Sequence, residues 1–417
     1  MNPYNTTQPN RTPASDPWQS ASPRKKRGVP NAAKALIALA LLIAAACVQY
    51  FYFNGQAPAS ETTVRMTETG VSVLYDFDSA VGFHSFDSGD FFFCTKDGMK
   101  YLTSGGATRW DSVYSLISPV MVAQGQVAAV GEAGGHAVYV FGASGKLYER
   151  HFDAPLLSFS VNKSGYLSVI LQDGSDYRIE VAGPGLNVNK PWQYHFVQSN
   201  VYPMCADVSF DGRIVATAFA DVEFQLVTRI VFQYINEAEG RNYTDSVFSE
   251  QQIPGEMPAS VRFMDGNRLL VFTDARICCY EQSAQGAVER IWDVELSNRL
   301  SSVSFYGGKS FAYASGDPLL NRADADAPGT VRFMTADGAE TGTYCVGKSV
   351  QTLSMGRDAA IAGTGRDFYA IDARGNLLWS YASPQEARQM IFLDNRDTVL
   401  VATDLGGSVM RRVKDEY

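Results

Sequence analysis

Four histidines, His84, His136, His151 and His195, are the only imidazoles in this 417-residue chain. No two stand at i, i+2 or i+4, and the H-E-x-x-H arrangement that puts two imidazoles and a general base on one helix face is absent. Hydrogen-bonded structural histidines are therefore expected, with a scattered metal site as the rival. The stretch GASGKLY, residues 142–148, superficially resembles a phosphate loop. Leu147 follows Lys146 where Ser or Thr is needed, and Val140 stands where the earlier glycine is required, so a hairpin is expected. NRADADAPG, residues 321–329, offers Asp324 and Asp326 to a calcium ion. It lacks the ligand register and downstream Glu of a calcium loop, which favours a solvated insertion. Five cysteines follow residue 63: Cys94, Cys205, Cys278, Cys279 and Cys345. An odd number with no C-x-x-C spacing excludes a disulfide framework and a zinc site. Most lie in apolar runs (FFFC, ICCY, TYCV), where a free thiol acts as a small buried hydrophobe.

The elements that must position these residues are short strands. Beyond residue 63, runs of four to eight apolar, β-branched and aromatic residues alternate with Gly, Asp and Asn turns to the C-terminus. No long stretch keeps a helical period, so the region is expected to be all-β. Aligned on the first turn of each group, the turn residues are Gly89, Gly125, Gly165, Gly212, Gly266, Gly308, Gly356 and Asn395. They stand 36 to 54 residues apart, near the period of a four-stranded propeller blade. Eight groups predict eight blades, or seven if two belong to one enlarged blade. The longest interval contains INEAEGRNYTDSVFSEQQIPGE, residues 235–256, the place for such a miscount or for a functional loop. The last group ends one strand short. VSVLYDF, residues 71–77, is expected to supply that strand from the other end and close the ring. Trp110, Trp192, Trp292 and Trp379 are expected in blade core or between blades, with a ligand-binding face as the rival.

The N-terminal region has a different composition. Residues 1–31 contain six prolines and one large hydrophobe, Trp18, too little to bury a core, so a disordered tail is expected. From Ala35 to Phe53, 19 residues carry no charge. As a helix they would span about 28 Å, enough to cross a bilayer core. Arg24, Lys25, Lys26, Arg27 and Lys34 precede the apolar run, and Tyr50, Phe51, Tyr52 and Phe53 end it. Basic residues on the cytoplasmic side and aromatic rings at the headgroup level predict a transmembrane signal anchor over residues 32–53 with the N-terminus cytoplasmic. A lipoprotein box at Cys47 and a cleaved signal are disfavoured, because hydrophobic residues continue past the Cys and the run exceeds a signal core. Residues 54–63 then read as a linker and 64–417 as an extracytoplasmic propeller. Residues 1–34 carry six basic residues and one acidic, which leaves −14 of the total charge of −9 for the remainder. Such an acidic domain is a poor partner for nucleic acid.

YAIDARGNLLW, residues 369–379, resembles the repeat of quinoprotein-alcohol-dehydrogenase-like β-propellers, in which a strand leads through an Asp and a Gly turn to a Trp-ended strand. Here those residues are Asp372, Gly375 and Trp379. Other groups keep the Gly and lose the Asp or Trp. The basic Pro-rich tail, single span and propeller together resemble an uncharacterised family of single-pass bacterial envelope proteins, which implies no activity. Some quinoprotein propellers hold pyrroloquinoline quinone and calcium, with a vicinal disulfide against the quinone, and Cys278-Cys279 is the adjacent pair here. Both fall inside a strand-like run, where neighbouring side chains face opposite ways, so no cofactor is expected. Asp372 and Gly375 are expected to shape a hairpin, and Trp379 to pack between blades. The function expected is a membrane-tethered scaffold or sensor that binds a protein or envelope component. A quinone-dependent dehydrogenase is the alternative, and transmembrane signalling the third class.

Overall fold

Glycine and Asp turns between apolar runs fold each group of the sequence into consecutive antiparallel hairpins, and the result is eight separate sheets of four strands. The computed structural model describes residues 63–75, 80–186, 191–283, 286–319, 326–394, 396–404 and 406–413. The expected N-terminal tail, residues 1–31, and the expected anchor, residues 32–53, lie outside these residues. Among the described residues no helix is long and apolar enough to cross a membrane.

The blades follow one another along the chain. Blades 1 to 7 comprise residues 80–113, 119–151, 156–196, 201–254, 258–295, 298–345 and 352–382, each with its four strands in chain order. Blade 8 takes three strands from residues 387–412, and Met66–Leu74 pairs antiparallel with its third strand, Gly406–Arg412. The ring is thus closed by the N-terminal strand, and the edge of blade 8 is covered. This strand begins earlier than the expected residue 71. Met66 is buried against blades 7 and 8 while residues 67–70 are exposed. Their polar sequence, TETG, therefore reads as linker although a bulge between Glu68 and Ser72 carries the pairing through it.

There are eight blades, and every described turn residue of the aligned groups falls between the first and second strands of its blade. Asn395 lies outside the described residues. The long interval in blade 4 is filled without adding a blade. A short helix, Glu237–Gly240, and a single 3-10 turn, Thr244–Ser246, separate its third and fourth strands. Asn236 caps the helix by accepting from the Glu239 N–H at 2.8 Å.

The core consists of eight seams between blades. Each hydrophobic cluster draws residues from two adjacent blades, as in Phe83, Phe91 and Phe93 of blade 1 against Leu400 and Val409 of blade 8. The next residues along the same strand, Phe92 and Cys94, enter the seam with blade 2. A second strand is therefore buried on both sides and reads as a continuous apolar run. The outermost strands lie at the blade edge. Thr108–Val113 alternates between exposed and half-buried.

Candidate functional site

The first strand of every blade lines the axis of the ring, so the side chains that these strands send inward define the candidate site. Arg262, on the first strand of blade 5, donates through Nη2 to the Ala123 carbonyl of blade 2 at 3.1 Å. Its guanidinium lies 5.6 Å from the Phe305 ring of blade 6. Asp207 of blade 4 is buried beside it and accepts from Ser160 Oγ at 2.6 Å and from the Phe263 N–H at 2.7 Å. Burial pushes the Asp207 pKa up, opposed by the Arg262 charge and those two donors. Burial pushes the Arg262 pKa down, opposed by Asp207. At the turns above, Lys163 of blade 3 bonds Asp265 of blade 5 and stands 4.2 Å from the Phe210 ring of blade 4. Blades 2 to 6 are thus tied to each other at the axis.

The other part of the axis is open. A cavity of about 650 Å³ lies among blades 1, 6, 7 and 8, with Gly125 and Gln126 of blade 2 at its side. A second cavity of about 320 Å³ shares Phe83, Leu353 and Gln389 with it. Tyr306 donates to Asp87 at 2.6 Å at the mouth of the larger one, and Arg357 stands 3.8 Å from the same carboxylate. His84 lines its wall and donates through Nε2 to the Gly125 carbonyl at 2.8 Å. Burial lowers the His84 pKa, the carbonyl bond raises it, and the Arg262 charge lowers it further. His84 therefore sits in the wall bonded to backbone. None of these residues was singled out in the sequence as an axial group. The available signal was position: Arg262 and His84 each lie on the strand just before an aligned Gly turn.

The other histidines are elsewhere, and all three are exposed. His136 bonds the Phe152 carbonyl at 3.1 Å, His151 lies 3.5 Å from Glu149, and His195 is on the fourth strand of blade 3. No group of three or more metal-ligating side chains is found among the described residues. GASGKLY forms the hairpin between the third and fourth strands of blade 2, with Gly142 opposite Gly145. Asp326 is held by Arg332 at 2.7 Å, and Asp324 lies outside the described residues.

Asp372 and Gly375 shape the third hairpin of blade 7. Asp372 Oδ1 accepts from the Arg374 and Asn376 N–H groups at 3.0 and 2.8 Å. Gly375 has φ +84°, and a Cβ there would stand 2.4 Å from the Thr343 carbonyl of blade 6. Trp379 is fully buried in the seam of blades 7 and 8 and donates to the Arg396 carbonyl at 3.1 Å. Trp110 and Trp292 make the same kind of bond into the next blade, to Ala143 at 3.0 Å and Ala336 at 3.1 Å. Each of the three faces a register shift in its sheet. In blade 6 the corresponding position is Gly342, and the blade 7 hairpin closes directly onto it. Trp192 is half-buried in the seam of blades 3 and 4.

Cys278 and Cys279 are free thiols on the third strand of blade 5. Cys278 enters the seam with blade 4 and Cys279 the seam with blade 6. Their sulfurs point to opposite sides of the sheet, so this pair does not fit a vicinal disulfide lying against a quinone. Cys94 is buried too, and Cys205 is half-buried, whereas Cys345, at the end of a blade-edge strand, is exposed.

No curated protein matches the chain. Among solved structures, BamB from Moraxella catarrhalis is similar at 14% identity and a TM-score of 0.49, over 83% of this chain and 100% of that one. Hsv2 from Kluyvelomyces marxianus is similar at 9% identity and a TM-score of 0.45, over 71% and 92%. The corresponding figures for Raptor from Chaetomium thermophilum are 10%, 0.46, 87% and 31%. Residues 60–411, almost the whole propeller, match the model of a family of unknown function (DUF5711), and the chain belongs to that family.

Proposed function

We propose that this protein is a membrane-anchored, extracytoplasmic β-propeller that binds a protein or cell-envelope component on a ring face, as scaffold or sensor, without catalysis. The observation that carries this reading is that three charged or titratable groups at the axis, Arg262, Asp207 and His84, are bonded to the frame. Arg262 reaches the Ala123 carbonyl, Asp207 takes up a serine and a backbone N–H, and His84 is bonded to Gly125. Groups held in this way stabilise a closed ring and leave its faces for recognition. The anchor rests on the uncharged run Ala35–Phe53 with its basic and aromatic flanks.

The second reading is a quinone-dependent dehydrogenase, favoured by an axial cavity large enough for a cofactor. The test supplies the full-length protein with pyrroloquinoline quinone and calcium and follows dye-linked oxidation of alcohols and sugars. Silence across the panel is expected, and turnover reverses the choice. Protease digestion of intact and opened cells tests the anchor. The proposal expects the propeller to be reached from outside and residues 1–31 only after opening.

A further inference from the structure

The face of the ring that carries the inter-blade connections and the second-to-third-strand turns is unlike the other. Most of the exposed large hydrophobic side chains among the described residues lie on it. They concentrate on blades 2 to 4. Val222 and Phe224 occupy the turn between the second and third strands of blade 4, at 43% and 93% exposure. Val197 lies on the connection entering that blade and Met257 on the one leaving it, both exposed. The backbone joins these pieces: the Val222 N–H donates to the Asn200 carbonyl at 2.8 Å, and the Gly255 N–H to the Leu226 carbonyl at 2.7 Å.

The same sector continues to the rim of the axial opening. Register shifts at the entrances of the first strands of blades 3 and 4 leave Leu157 and Met204 out of the pairing, and both side chains are exposed. A bulge at a strand entrance re-aims the side chain it carries. Val120 of blade 2 and Tyr202 of blade 4 extend the rim. The corresponding entrances of blades 6 and 8 carry Arg299 and Arg388. The exposed apolar side chains are densest on blades 2 to 4, with Val113 of blade 1 and Leu74 of blade 8 as outliers on the same face.

The charges around this sector are one-sided. Asp153 and Asp173 present carboxylates that are 79% and 47% exposed, and Glu223 and Asp274 are exposed as well. The arginines nearest to them are turned inward. Arg178 is 8% exposed and held by Asp153, Asp173 and Glu180, and Arg229 is 19% exposed between Asp221 and Glu250. A contiguous apolar surface with a polar rim marks an interaction site. An acidic rim opposes an anionic membrane and favours a cationic partner.

We propose that the connection-bearing face of blades 2 to 4 docks a cationic, apolar polypeptide: a partner segment whose hydrophobic side chains are flanked by lysines or arginines. This deepens the scaffold reading and rests on it. The test places the photoreactive residue benzoylphenylalanine at Phe224, Val197 or, on the opposite face, Leu147 of the full-length protein in cells, and sequences the adducts by mass spectrometry. Adducts from Phe224 and Val197 are expected on one protein, in a segment rich in Leu, Ile, Val or Phe beside Lys or Arg. Replacement of both Asp173 and Glu223 by Lys is expected to abolish them. A synthetic peptide of the captured segment should bind the Phe224→Ser/Met204→Ser protein at least about tenfold more weakly than the unchanged protein, a loss of about 1.4 kcal/mol. Adducts on lipid, on residues 1–62, on a second copy or on an acidic or uncharged segment overturn the proposal, as does binding that the substitutions leave unchanged. A partner captured only from Leu147 overturns it while the scaffold reading stands, and capture from none of the three positions overturns both.

Discussion

Arg262 of blade 5 donates to the Ala123 carbonyl of blade 2 across the axis of the ring. The two strands are separated by three blade-to-blade steps along the ring, and the guanidinium also faces Phe305 and the buried Asp207. Replacing Arg262 with Met removes the bond and leaves Asp207 buried without its compensating cation. The expected loss is about 1.5–3 kcal/mol, read as a lower urea midpoint. Asp207→Asn in the same background should recover part of it. A midpoint unchanged by Arg262→Met would contradict the axial role.

His84 gives the stability a direction with pH. Burial holds its folded pKa below the ordinary value of 6.5, so the unfolded chain takes up a proton that the folded chain resists. Stability from this group is present above pH 6.5 and falls as the pH drops from there towards the lowered folded value. The slope is at most about 1.4 kcal/mol per pH unit. Asp207 and Glu180 act oppositely, because their folded pKa values are raised, over a window that extends upward from the ordinary carboxylate range. Thermal melts between pH 7.5 and 5 should show the loss, and His84→Gln, which keeps an amide donor for Gly125, should flatten it. An identical slope in that variant would assign the effect to other groups.

Gly375 and Gly134 separate two costs of adding a Cβ. Both have positive φ, but a Cβ on Gly134 meets nothing within 4 Å, whereas on Gly375 it meets the Thr343 backbone at 2.4 Å. Gly134→Ala should cost about 1–2 kcal/mol from the backbone conformation alone. Gly375→Ala should cost clearly more, because the hairpin must leave blade 6. Trp379→Ala, which empties the next seam and frees the Arg396 carbonyl, should cost about 3–5 kcal/mol. Equal melting temperatures for the two glycine variants would contradict the proposed contact between blades.

The thiols are expected to differ in reactivity by location. Burial pushes Cys94 and Cys279 up to about 12 and Cys278 up to about 11, while Cys345 is exposed. Native alkylation should modify Cys345 and spare Cys278 and Cys279 until the protein is unfolded. A Cys278–Cys279 disulfide in the peptide map of the native protein would contradict their placement in opposite seams.

The blade count was legible because seven of the eight blades repeat one local device, a Gly turn between the first two strands, occupied by Gly89 through Gly356. Ring closure was legible from the missing last strand, but its start was not, since Thr67 to Gly70 are polar and exposed while paired or bulged. The axial site was hidden for a different reason. Alternation along SVRFM can set Arg262 on one side of its strand, but only the closed ring decides that Ala123 and Phe305 lie opposite. The apolar face was hidden likewise: Val197, Phe224 and Met257 are dispersed in sequence and meet on one face only through the up-and-down order of the strands.

A propeller that works as a scaffold or sensor must hold a partner on one of its faces. Chemical cross-linking of the full-length protein in living cells, followed by mass spectrometry of the linked peptides, measures that. A recurrent protein or envelope component linked to one face of the ring is the predicted result. No recurrent partner, under conditions that capture known neighbours in the same cells, would contradict the scaffold reading and turn attention to small ligands in the axial cavity.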